Sequence, residues 1–279
     1  MLRILHPTDF SPASDVAFAH ALKLALAGQG SLTIFHYAHR ADAEDDAHEF
    51  PQVRQTLTRW GVLPGNSPRE AVAALGLHVR KVEIGGDDPT SAVLAYLEKH
   101  DMDLIVLATH QRSGLSRWLS QEVASPLTRK AAMPALFVPP HVDGFVNAAT
   151  GDVRLQRILI TIDRHPHPHA AIELVPALVD TLHATPVVVE LLHVGTPDSL
   201  PRVQLPDAKD VTWNTQVTEG SVVDAIVRAV ETGAPDLLML TTQGRRGFLD
   251  ALRGSTSEQI VRRAKVPVLA VPVSLEAGP

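Results

Sequence analysis

The residues best suited to chemistry lie in one run, 240–258. Gly244, Arg245, Gly254, Ser255, Thr256 and Ser257 supply two glycines, a cation and three hydroxyls. A helix start offers unpaired N–H groups and a partial positive charge, and beside a Ser or Thr hydroxyl these hold an anion. The apolar stretch 236–240 reads as a buried parallel strand, and 259–264 has helical spacing of apolar and basic residues. The run therefore joins a strand's carboxyl end to a helix's amino end, where open parallel sheets take ligands. Gly244 permits a tight turn or a close ligand approach. Together these residues read as a phosphate cradle. Ordinary loops and helix caps use the same residues, so the glycines alone do not decide between the two. No Lys follows the second glycine pair, which excludes a P-loop, and the spacing is not that of the Gly-x-Gly-x-x-Gly turn.

The chain that positions this run is an internal repeat. Residues 103–139 align without gaps on 236–272: Thr109 falls on Thr242, Arg112 on Arg245, Gly114 on Gly247, and Pro134 on Pro267. Near the start, Arg3-Ile4-Leu5 falls on Arg157-Ile158-Leu159, and Asp9 on Asp163. His36 and His193 close the second strand of each half. Two homologous domains follow, 1–140 and 153–279, joined by a linker, 141–152, that has two glycines and no periodicity. Strands alternate with helices in each, so the expected fold class is α/β: two tandem open parallel five-stranded sheets with helices on both faces. Ser11 and Pro12 predict a helix start, and Gly28 and Gly30 its end near Ala27. Residues 85–89 read as a turn. Residues 195–210 are Pro-rich and too short for the long helix expected at the same place in the first half, so the second half should be more open there.

Composition narrows the classes. The net charge of −6 is no nucleic-acid footprint. Zero cysteines exclude disulfides, thiol catalysis and Cys-type zinc sites. No apolar run reaches membrane-spanning length, and the first residues lead straight into a strand without a signal peptide, so a cytoplasmic protein is expected. Aromatics make up only 4%, so the core must be built from Ala, Val, Leu and Ile. His165-Pro166-His167-Pro168-His169 is an alternative metal site, since alternating prolines extend the chain and place alternate imidazoles on one side. No Gly-x-Ser-x-Gly elbow is present and no general base is placed by the sequence, which favours binding over an efficient enzyme.

The whole chain resembles a tandem universal stress protein of the UspA-like family, whose fold is Rossmann-like and akin to the adenine nucleotide alpha-hydrolases. Nucleotide-binding members carry Gly-x-x-Gly, nine residues, then Gly-Ser or Gly-Thr. Here Gly244 is followed by residues 245–253 and then Gly254-Ser255, with Thr241 in place of the leading glycine. The resemblance implies ATP or ADP, with Mg2+ possible, bound in the second half. Ile162, Asp163, Val194, Leu240, Thr241, Gly244, Arg245, Gly254, Ser255, Thr256 and Ser257 would form the site. Asp163 would face the ribose or a phosphate-bound metal, Val194 the base, and the backbone at Gly244, Arg245, Ser255 and Thr256 the phosphates. In the first half Gln111 and Gln121-Glu122 replace the matching glycines and serine, and Pro126 delays the helix, so no ATP is expected there. Asp9 is then a relic or a cap for Ser11. The resemblance also implies a stress sensor or regulator. It further implies an intramolecular pseudo-dimer docked through Ala135–Val138 and 268–271, and a homodimer of the whole chain. An interaction module without nucleotide and a slow ATPase are the alternative functions.

Overall fold

The computed structural model describes residues 1–39, 49–86, 89–109, 133–243 and 255–273. Five parallel strands form the first half: β1 (Arg3–Thr8), β2 (Ser31–His39), β3 (His78–Gly86), β4 (Leu104–Ala108) and β5 (Ala135–Val138). Five more form the second: β6 (Arg157–Thr161), β7 (Val187–Val194), β8 (Val211–Thr218), β9 (Leu237–Thr242) and β10 (Val268–Pro272). The order across the sheet is β3-β2-β1-β4-β5-β10-β9-β6-β7-β8. The two five-stranded halves join edge to edge into one continuous sheet. β5 and β10 pair antiparallel, with Val268 opposite Phe137 and Ala270 opposite Ala135. These strands are short and fully buried. Apolar edge strands left unpaired are a liability, and each covers the other.

Helices α1 (Pro12–Ala27) and α5 (His169–Leu182) cover one face and touch each other. Helices α4 (Pro89–Lys99), α6 (Val222–Gly233) and α7 (Ser255–Arg263) cover the other. The short α2 (Val53–Arg59) and α3 (Ala71–Ala74) lie between β2 and β3. Alternating strand residues feed the two faces: Ile4, Leu237 and Met239 join one core, and Leu5, Leu238 and Leu240 the other. Ala17, Ala21 and Ala25 are fully buried on α1, where small side chains let the helix sit close to the sheet. Ser11 caps α1 by accepting from Ser14 N at 3.2 Å, and Pro12 opens the helix. Gly28 N closes it on Leu24 O. Gly30 has no room for a side chain, because a Cβ there would lie 2.1 Å from Leu2 O.

The start of each half is pinned by one Asp. Asp103 accepts from Arg3 N at 2.8 Å and from its guanidinium at 2.8 and 3.0 Å. Arg3 holds this carboxyl below the usual carboxylate range. At the equivalent place, Asp236 accepts from Gln156 N and Arg157 N at 2.8 and 2.9 Å.

The segment 141–152, read as a plain linker, is packed against the first half. Phe145 and Val146 are buried, and both backbone N–H groups donate to His20 Nε2, at 3.1 and 3.2 Å. His20 Nδ1 donates in turn to Val16 O at 2.8 Å. A carbonyl only accepts and an N–H only donates, so the neutral Nδ1–H tautomer is imposed. Burial pushes His20 down to about 4. Gly144, at φ +70°, lies over the ring: a Cβ there would sit 2.3 Å from His20 Nε2. Trp60 Nε1 adds a bond to Ala148 O at 3.1 Å. His6, also fully buried, donates from Nδ1 to Val106 O at 2.9 Å, and burial likewise lowers it to about 4.

Candidate functional site

Each half has the strand order 3-2-1-4-5, which reverses direction between its first and fourth strands. In the second half this switch lies between β6 and β9, where Ile160 is opposite Met239. The crevice beyond the carboxyl ends of those strands is the ligand position of such sheets. Asp163 follows β6, Thr241 lies near the end of β9, and Val194 ends β7.

The predicted residues separate by burial. Ile162 and Leu240 bury their side chains in the two cores, so neither presents more than backbone. Ile162 N extends the ladder by donating to Leu192 O. Asp163 is exposed, and its Oδ1 accepts from Arg164 N at 2.7 Å, a local turn bond. Val194 ends β7 half-buried. Thr241 is buried, and its Oγ1 has no hydrogen-bond partner among the described residues. A buried hydroxyl is costly unless something satisfies it, so this oxygen fits a polar ligand at the switch point. α7 begins at Ser255, with Thr256 exposed and Ser257 half-exposed in its first turn. Gly244, Arg245 and Gly254 lie outside the described residues, as do Gln111, Gln121, Glu122 and Pro126 of the first half.

The corresponding crevice in the first half is furnished differently. Phe10, in a left-handed conformation at φ +59°, packs on His36 at 4.1 Å between ring centroids. Phe50 meets Phe10 edge-on at 5.6 Å. Phe10, His36 and Phe50 thus form an aromatic cluster at the carboxyl end of β2, next to Tyr37, the counterpart of Val194. Asp9 accepts from the N–H and hydroxyl of Ser11, at 3.1 and 2.6 Å, and so supports the α1 cap. In the second half the counterpart of Phe10 is Arg164, whose guanidinium donates to Asp198 O.

The three histidines do not come together as a metal site. His167 Nε2 donates to Arg202 O at 3.1 Å, and His167 Nδ1 accepts from His169 N at 3.3 Å, so both ring nitrogens are committed. His169 Nδ1 is instead 3.9 Å from Glu173. Among the described residues no three His, Asp or Glu converge to hold an ion. The segment lines a cavity of about 320 Å³ with Arg202, Val203 and Gln204.

Sequence reasoning missed one pair. Where the first half has α2 and α3, the second has a single 3-10 turn, Pro197–Ser199, as its Pro content predicts. That turn brings Ser199 Oγ to 2.7 Å from Nε2 of buried His193. His193 Nδ1 donates to Ile162 O at 3.1 Å, as His36 Nδ1 does to Thr8 O at 3.0 Å. The signal in the sequence was a repeated His followed six residues later by Ser in one half alone.

The model of the "Universal stress protein family" matches residues 1–139 and 202–272. No curated protein matches the sequence significantly. A universal stress protein from Archaeoglobus fulgidus superposes with a TM-score of 0.58 at 17% identity, over 96% of this chain and 95% of its own. A putative universal stress protein from Pseudomonas aeruginosa gives 0.57 at 14%, over 96% and 92%. At such identity the likeness is one of fold. Among the described residues no helix is long and apolar enough to cross a membrane. With the family model covering most of its length, the chain belongs to the universal stress protein family.

Proposed function

We propose that the second half, residues 153–279, binds one adenine nucleotide, ATP or ADP with Mg2+, and that the chain acts as a sensor or regulator rather than an efficient enzyme. The observation that carries this reading is the switch point between β6 and β9. Exposed Asp163, half-buried Val194 and the buried Thr241 hydroxyl, without a partner among the described residues, lie at the ends of β6, β7 and β9, and β9 leads into the Gly244–Ser255 spacing. Asp163 would hold the ribose or a phosphate-bound metal, and Val194 would pack on the base. The amino end of α7, from Ser255 through Ser257, would take phosphate on its N–H groups. The first half, residues 1–140, takes no nucleotide in this reading. Phe10 and Phe50 stack at the end of its second strand, and Glu122 aligns with Ser255 in the repeat.

The test is to denature the purified protein and measure the nucleotide released, with Gly254→Glu as control. The expected result is about one adenine nucleotide per chain, lost in the variant, or a thermal shift with MgATP in wild type alone. Neither nucleotide nor shift would refute the proposal and favour an interaction module. About two per chain would refute the assignment of the first half.

A further inference from the structure

We infer that Ser199 is a nucleophile activated by His193, and that this pair accepts acyl groups from activated esters or thioesters. The inference does not rest on nucleotide binding. A nucleophilic hydroxyl is recognised by a base within hydrogen-bond reach and by a third group that fixes the base. All three are present. Ser199 Oγ lies 2.7 Å from His193 Nε2, and the Ile162 carbonyl, which can only accept, places the ring proton on Nδ1. In the neutral ring Nε2 is therefore an acceptor, and the single Ser199 proton is shared between it and Thr196 O, which accepts at 2.8 Å. Ser199 Oγ also accepts from Thr196 Oγ1 at 3.5 Å. The Thr196 carbonyl holds the serine rotamer in place beside the imidazole.

The surroundings match this role. His193 is 2% exposed, so bulk water does not compete for its Nε2, whereas Ser199 is partly exposed and reachable. Pro197 and Pro201 stiffen the turn that carries the serine. Gly195 leaves the room the pair needs: a Cβ there would lie 2.6 Å from Ser199 Oγ and 2.8 Å from His193 Nε2. The first half repeats the histidine and its carbonyl partner but stacks Phe10 on the ring. The Nδ1 bond is thus shared architecture, and the serine is particular to the second half.

In the step itself Ser199 Oγ attacks the carbonyl carbon while its proton passes to His193 Nε2. The C–O or C–S bond of the donor then breaks, and the leaving alkoxide or thiolate takes that proton. Ser199 is left as an ester.

The test treats the full chain with a fluorophosphonate probe, whose P–F bond breaks with loss of fluoride as Oγ attacks phosphorus. Peptide mass spectrometry then locates the label, and p-nitrophenyl acetate serves as the acyl donor in a parallel arm. The expected result is one label per chain on Ser199 with either reagent, none there in Ser199→Ala, and labelling slowed about 100-fold in His193→Gln. Gly195→Ala, which pushes the pair apart, slows it as well. Failure of wild type to label, a label elsewhere that survives Ser199→Ala, or undiminished rates in His193→Gln of native circular dichroism would overturn the inference. Should His193→Gln not fold, Gly195→Ala decides by the same criterion.

Discussion

Acidification should loosen the latch that His20 forms on the segment joining the halves. In the fold His20 accepts from Phe145 N and Val146 N through Nε2, so a proton at that nitrogen cannot be accommodated without breaking both bonds. Its folded value, about 4, lies below the ordinary 6.5. The unfolded chain thus takes up the proton first, and stability is fully present above 6.5 and lost as pH falls toward 4. At pH 5 the unfolded imidazole is nearly all charged and the folded one about a tenth charged. The loss is about 2 kcal/mol for His20, and about the same for His6, which is shifted equally. Urea unfolding at pH 7.5 and pH 5 should show wild type losing about 4 kcal/mol from these two groups. His20→Gln should start about 1–3 kcal/mol less stable at pH 7.5, since its amide reproduces the ring's bonds only in part. It should then lose about 2 kcal/mol less on acidification. Parallel pH profiles for the two proteins would refute the reasoning.

Gly144→Ala should destabilise by about 2–4 kcal/mol, through the positive φ and the collision with His20, and combining it with His20→Gln should cost less than the sum. Double-variant urea curves check both statements. Asp103→Ala should cost about 1–2 kcal/mol, a charge-assisted cluster discounted because the side chain is 36% exposed. Calorimetry of the single variant and of Arg3→Ala/Asp103→Ala measures this, and equal losses would place the whole effect in the pair. Thr241→Val should stabilise the nucleotide-free protein by about 1 kcal/mol, because it removes a buried hydroxyl without a partner among the described residues. If that hydroxyl serves a nucleotide, the same variant should shrink the thermal shift produced by MgATP.

Local signals read the fold well wherever they agreed with the ladder. Ser11 and Pro12 open α1 as capping chemistry requires, and Ala135–Val138 forms the strand that its apolar run predicts. They failed where a neighbour overrode them. Gly85 and Gly86 read as a turn, yet they extend β3 because Ala38 and His39 pair with them. The segment 141–152 has no period, yet Phe145 and Val146 are buried, held by a histidine more than a hundred residues away. At the candidate site the repeat located the switch point and Asp163. It did not disclose that Ile162 and Leu240 turn into the cores, since the fate of a side chain at a strand end depends on which helix covers it. The Ser199–His193 pair escaped because a tight turn forms it outside any elbow motif.

The antiparallel meeting of β5 and β10 sets the compass of the molecule. Every strand of one half runs opposite to every strand of the other, so the two carboxyl-end crevices open on opposite rims. Among the described residues, the seam, the α1–α5 contact and the latched segment connect the two rims. Because both halves lie on one chain, they are free to diverge. A residue such as Phe10 alters one rim without changing its opposite, which separate identical subunits cannot do.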